Sequence, residues 1–182
     1  MRKIIFFCIL FLFPCFSCQQ LITYKKFLIE KISYTGDELR IDGYFYCIEK
    51  QQDSSNKIRN ISCFYRNGIL LNMGGGASSL KEADEYIRRI FIEGSTNPIY
   101  EYSKWGLFVI DGQTIKFELY YSSDDITKWT YIKEGIILND TTFHITAFYR
   151  SDGAKKEKKD EIYLFRQFSP KPDSIVASKW IQ

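Results

Sequence analysis

The chain has 182 residues, with 25 Lys and Arg against 22 Asp and Glu, a single His and a formal charge of +3. Without Arg2 and Lys3, at the start of the chain, the count is 23 basic against 22 acidic residues and a charge of +1. That balance excludes the clustered positive surplus that nucleic-acid binding needs, and one His excludes a His-rich metal centre.

The export segment comes first along the chain. Arg2 and Lys3 precede ten apolar residues, Ile4 to Phe13, and Pro14 ends the run just before Cys15, Phe16, Ser17 and Cys18. This is the layout of a secretory signal, and the apolar run is too short to cross about 30 Å of hydrocarbon as a helix. Small residues at positions 15 and 17 favour cleavage before Cys18. The segment resembles the type II signal of bacterial lipoproteins, whose cysteine after the cut receives the lipid. The resemblance implies a signal peptide over residues 1–17, lipidation with palmitate at Cys18, and a protein anchored to the outer membrane; secretion without lipid is the alternative. Residues 18–36 read as a tether, although Leu21, Ile22, Phe27, Leu28 and Ile32 could instead dock as a short helix.

Residues 37–182 suit one domain with a sizeable core, and aromatic residues make up 17% of the chain, a composition that favours pleated sheet. Leu39, Ile41, Gly43, Phe45 and Cys47 alternate with Arg40, Asp42, Tyr44 and Tyr46, which predicts a first strand. A polar turn at Gln51 to Asn56 leads into Ile58 to Tyr65, and Asn67-Gly68 supplies a type I′ hairpin into Ile69, Leu70 and Leu71. Then Gly74 to Gly76 ends the meander. Ser79 with Glu82 forms a capping box, and Leu80, Ala83, Ile87, Ile90 and Phe91 recur at helical spacing until Gly94. The apolar stripe of this helix is expected across one open end of the sheet. A phosphate-loop reading of the glycines fails, because Ala77, Ser78 and Ser79 stand where Lys and Ser or Thr are needed.

Strands resume at Trp105 to Ile110 and, after a second type I′ turn at Asp111-Gly112, at Thr114 to Tyr121. Thr130 to Leu138 and Thr141 to Tyr149 pair across Asn139-Asp140. The basic run Lys155, Lys156, Lys158 and Lys159 is interrupted by Glu157 and reads as a solvated hairpin loop, and Glu161 to Phe168 completes eight strands. Eight sequential hairpin strands remove their open edges most simply by closing. The expected fold is therefore all-β: an eight-stranded antiparallel up-and-down barrel with one helix inserted between strands 3 and 4.

Several short motifs recur in order: Leu39 to Tyr44, Tyr65 to Gly68, Trp105-Gly106, Leu138 to Phe143 and Phe168 to Ser174. As a set they resemble the lipocalin-like lipoproteins of Bacteroidetes, over about Leu39 to Ile181. The resemblance implies a lipocalin-like barrel in the cell envelope. Asp140-Thr141-Thr142 and Asp173-Ser174-Ile175 also resemble the O-glycosylation sites of exported Bacteroidetes proteins, with Thr141 and Ser174 as acceptors; Asp140-Thr141 is equally good hairpin chemistry.

Catalysis finds little support. His144 sits on the polar side of its strand, Asp124-Asp125 would point to opposite faces of a strand, and no Gly-x-Ser-x-Gly or His-Glu-x-x-His arrangement is present. No motif implies a cofactor or a metal. Cys47 and Cys63 fall nearly opposite each other in the first hairpin, so they read either as a disulfide or as two small core residues. Phe45, Tyr65, Trp105, Phe117, Phe143 and Phe165 are candidates to line the barrel. Two functions follow: a structural or interaction module whose interior these rings fill, partnered by the membrane and an envelope protein, or a binder of a small hydrophobic ligand or lipid in the barrel mouth.

Overall fold

Inside-outside alternation along each strand sets the architecture. The computed structural model describes residues 23–50, 56–74, 76–89, 103–121, 127–179 and 181. The expected signal with Cys18, the turn expected at 51–55, Gly75, the expected helix positions Ile90 and Phe91 with the stop at Gly94, and the Asp124-Asp125 pair lie outside the described residues.

A two-residue strand, β1 (Thr23–Tyr24), precedes the barrel and pairs in parallel with β7 (Thr127–Lys128). The barrel consists of β2 (Gly43–Lys50), β3 (Asn56–Phe64), β4 (Ile69–Met73), β5 (Trp105–Asp111), β6 (Thr114–Tyr120), β8 (Thr130–Asn139), β9 (Thr142–Arg150) and β10 (Glu157–Gln167). Each pairs antiparallel with the next, and β10 returns to β2 to close the ring. The helix α1 (Leu80–Ile87) lies between β4 and β5; with β1 counted, it follows the fourth strand of the chain.

The hairpin turns differ from the type I′ expectation. At the first, Gly68 takes φ of 77° while Tyr65 N–H donates to Ile69 O at 3.0 Å and Gly68 N–H to Tyr65 O at 3.0 Å, a three-residue loop with one left-handed position. At the second, Asp111 pairs with Thr114, so the loop is Gly112-Gln113 with positive φ at Gly112 alone, as a type II′ turn requires.

Phe45, Phe64, Phe108, Phe117, Phe143 and Tyr163 are all at most 1% exposed and fill the barrel's interior. Their rings interlock, with Phe45 5.0 Å from Phe143 and 5.7 Å from Phe64, and Phe143 stacked on Tyr163 at 4.6 Å. Such contacts add about 0.5–1.5 kcal/mol per pair beyond the area they bury. One end of the barrel is sealed by the chain before β2: Leu39 (2% exposed) and Tyr34 belong to the interior cluster, and the Tyr34 hydroxyl accepts the Leu39 N–H at 2.9 Å. Gly106 and Gly135 sit where a Cβ would lie 2.2 Å and 2.1 Å from carbonyl oxygens of the neighbouring strands, so only glycine permits the tight coiling there.

The helix does not cover the mouth. Ala83 and Ile87, both fully buried, pack with Ile61, Leu71, Met73 and Trp105 on the outside of β3 to β5. The reason is that these strands are apolar on both faces: in Ile69-Leu70-Leu71, Leu70 points inward and its neighbours outward, and the outer layer needs its own cover. Asp84 fixes the helix to the wall, accepting from Arg166 Nε at 3.0 Å, Arg166 Nη2 at 2.6 Å and the Tyr44 hydroxyl at 2.8 Å. The helix start is capped as expected by Ser79, whose Oγ accepts the Glu82 N–H at 3.2 Å, but the Glu82 carboxylate reaches back to Ser78, not Ser79.

From Thr23 the stretch expected as a tether runs as extended chain, not helix, with Phe27 and Ile29 half-buried against the barrel and Leu28 and Ile32 exposed. The carboxylate of Glu118, fully buried on the outer wall, accepts the Leu28 and Ile29 N–H groups at 2.7 Å and 2.8 Å as well as the Thr130 hydroxyl.

Candidate functional site: a slit in the barrel wall

The seam between β10 and β2 is paired from Gln167↔Gly43 to Tyr163↔Cys47 and then stops. Continued in register, Ile162 would face Ile48 and Glu161 would face Glu49. Both sides remain strand, yet Ile48 and Glu49 pair with Ile58 and Lys57 of β3, while Glu161 and Ile162 pair with Ile145 and His144 of β9. Two bulges pull the edges apart, one in β10 between Lys158 and Glu161 and one in the β2–β3 ladder between Phe45 and Cys47. The second is marked by Asn60 in the left-handed region at φ of 51°, a conformation Asn tolerates better than most residues.

Between the separated edges lies a cleft of about 800 Å³, lined by Cys47, Glu49, Arg59, Asp160, Glu161 and Ile162 among others. Each of its charged side chains has an acidic, basic or histidine neighbour within the molecule, but Arg59 Nε, though buried, makes no hydrogen bond. Arg59 Nε lies 2.9 Å from Glu49, His144 Nε2 lies 2.7 Å from Asp160, and Lys133 Nζ donates to Glu161 at 2.6 Å. The Lys133 side chain is 4% exposed and also donates to the Tyr163 hydroxyl at 2.8 Å, and that hydroxyl donates onward to Glu161 at 3.1 Å. Burial, reinforced by Glu161, raises Tyr163 well above the ordinary phenol range, and burial pushes the Cys47 thiol up to about 11. Both groups therefore stay protonated at neutral pH, and Cys47 is a poor nucleophile. Beside this floor, Tyr121, Tyr131 and Phe148 form an aromatic triangle at the end of the barrel opposite Leu39, with ring centroids 5.2 Å to 5.4 Å apart.

The candidate lining residues divide into two groups. Phe45, Phe117, Phe143 and Phe165 meet inside the barrel, where Phe45 lies 5.3 Å from Phe165 and Phe117 lies 6.3 Å from Phe143. Tyr65 and Trp105 do not join them. They lie on the outer wall, 6.3 Å apart, under the C-terminal segment, where the Tyr65 hydroxyl donates to Pro172 O at 2.8 Å. Lys171 stands 4.2 Å above the Tyr65 ring and donates to Ile41 O and Phe64 O, both at 2.6 Å.

Cys47 and Cys63 are free and are not brought together. The hairpin register sets Cys47 opposite Arg59 and Cys63 opposite Leu71, and the two thiols fall in different layers, Cys47 inside and Cys63 under the outer cover. Thr141 lies in a hairpin turn with its N–H and hydroxyl both donating to Asn139 Oδ1, and the Ser174 hydroxyl accepts from Asn67 Nδ2 at 3.0 Å. Among the described residues no three His, Cys, Asp or Glu side chains converge as metal ligands would.

Lys133 and the slit escape a reading by motif. Lys133 was detectable in principle, because it shares strand parity with Ile137, which points inward. The slit depends on bulges that leave no composition signal beyond Asn60. Comparison with known protein families, curated proteins and solved structures finds no match for this chain.

Proposed function

We propose that the chain is an exported lipoprotein of the outer membrane, anchored through Cys18, whose lipocalin-like barrel serves as a non-catalytic interaction module of the cell envelope. The observation that supports this most directly is the packed interior: Phe45, Phe64, Phe117 and Phe143 are each at most 1% exposed and touch ring to ring, leaving that half of the barrel to side chains, not ligand. The entry of the chain fits anchoring as well. Thr23 of β1 is five residues beyond Cys18, so β1, paired with β7 beside the barrel, would sit within about 17 Å of the lipidated residue. The experiment is incorporation of radiolabelled palmitate with membrane fractionation, comparing the native chain with Cys18→Ala; label and membrane association lost together in the variant support the reading, and an unlabelled native chain in the cytosol overturns it.

The aromatic triangle at the end opposite Leu39 favours a second reading, a small hydrophobic ligand held there by Tyr121, Tyr131 and Phe148. Native mass spectrometry of protein purified from its own host separates the two, since a binder retains a discrete added mass and the interaction module does not.

A further inference from the structure

We propose that the slit between β2 and β10 receives an extended peptide segment of a partner protein, added as a strand to the open barrel edges. This rests on the reading of the barrel as an interaction module and names the partner chemistry.

The slit offers main-chain groups above all. On the sides that face each other, Ile48 to Lys50 and Asp160 to Ile162 run as strand with no strand partner among the described residues. Backbone N–H and C=O groups are obligatory hydrogen-bonding groups, and an unpaired strand edge is a template for another chain. The cleft's charged side chains each have a neighbour, Glu49 with Arg59, Asp160 with His144 and Glu161 with Lys133, yet the buried Arg59 Nε makes no hydrogen bond. A ligand therefore gains by supplying an acceptor to that group and backbone donors and acceptors to the open strand edges. An alkyl chain or sterol has none. An extended peptide carries them at the strand repeat, the mode known as β-augmentation.

Strand parity also specifies the peptide. Ile48 and Ile162 point outward on opposite lips of the slit and are 42% and 49% exposed. Glu49 and Glu161 share the inward parity of Cys47 and Tyr163. The cleft is lined by three carboxylates, Glu49, Asp160 and Glu161, against the single cation Arg59, with Lys133 buried behind Glu161, and the Glu49 and Asp160 side chains remain 56% and 90% exposed despite their ion pairs. An inserted strand would therefore set aliphatic side chains beside the two isoleucines and alternate them with basic ones facing the carboxylates.

The test uses the processed chain carrying Cys18→Ala, so that anchoring plays no part. Alternate amides of an antiparallel strand face opposite neighbours, so those of Glu49 and Glu161 bond to β3 and β9. Hydrogen exchange of the free protein should show the slit amides of Ile48, Lys50, Asp160 and Ile162 exchanging faster than those of Tyr44, Tyr46, Leu164 and Arg166. Seven-residue peptides selected from a phage-displayed library should show alternating aliphatic and basic residues and protect those same amides. Their affinity should fall at least tenfold when alternate residues are N-methylated, and again in the Ile162→Asp variant. The inference is overturned if the slit amides are already protected in the free protein. It is equally overturned if binding survives N-methylation at every position, or if phospholipid vesicles or a second copy of this chain protect the slit while the peptides do not. Palmitate labelling reports separately: label without peptide binding leaves the anchored module standing and removes this inference, and peptide binding without label does the reverse.

Discussion

Replacing Phe143 by Ala tests whether the barrel interior is filled. The ring is fully buried and sits 5.0 Å from Phe45, 5.9 Å from Phe64, 6.3 Å from Phe117 and 4.6 Å from Tyr163. These neighbours stand on four different strands, β2, β3, β6 and β10, each held by ladder pairs on both sides. They cannot collapse into the vacated volume, so the substitution loses both the transfer energy of the ring and the packing around it, about 3–5 kcal/mol. For a domain of about 150 residues each kcal/mol lowers Tm by roughly 2–4 °C, which gives a fall on the order of 10 °C. Urea unfolding followed by circular dichroism should show the midpoint falling with the slope unchanged, the sign of lost stability without a change in the surface exposed. A cost below about 1 kcal/mol would refute the reasoning, because it would mean that the ring already borders empty space and that the barrel is hollow.

Lys133→Met should destabilise by about 2–3 kcal/mol, since it leaves the Glu161 carboxylate partly buried without its cation, and Glu161→Gln in the same chain should recover part of the loss in a double-mutant cycle of urea midpoints. The acid limb of stability should reflect Asp84, whose carboxyl burial alone would raise but which hydrogen bonds from Arg166 and Tyr44 hold below its ordinary value of 3.8. Because its folded value is the lower one, the unfolded chain binds the proton first; the contribution is complete above the ordinary value and is lost as pH falls below it, so Asp84→Asn should flatten the pH dependence of Tm there. Both thiols should resist iodoacetamide at pH 8 until the protein unfolds, because burial raises Cys47 to about 11 and Cys63 to about 12; rapid labelling of native protein would contradict that placement. Lys171→Met keeps the stem over Tyr65 but deprives Ile41 O and Phe64 O of a donor, so limited proteolysis should cut the C-terminal segment well before the barrel unfolds.

Much of this protein was legible in its sequence because strand alternation is a local property. Ile115, Phe117 and Leu119 alternate with Lys116 and Glu118, and the structure turns the first set inward. Glycines at 68 and 112 sit at the hairpins, since a positive φ can be supplied only locally, although the turn types and register around them came out differently. The capped helix start at Ser79 is local for the same reason.

What the sequence could not determine depends on which faces meet. Tyr65 and Trp105 look like barrel-lining aromatics, but they face outward because Phe168, Ala177 and Ile181 return to cover the wall beside them. Cys47 and Cys63 look like partners until the register of β2 on β3, set by a bulge and by Asn60, sends them to opposite layers. The sequence by itself determined that hairpin strands of this alternation would form a sheet with one aromatic face. Only the tertiary structure decided that the seam between the first and last barrel strands opens before it ends, because the closing register is a sum of twists and bulges around the whole ring and is written in no single strand.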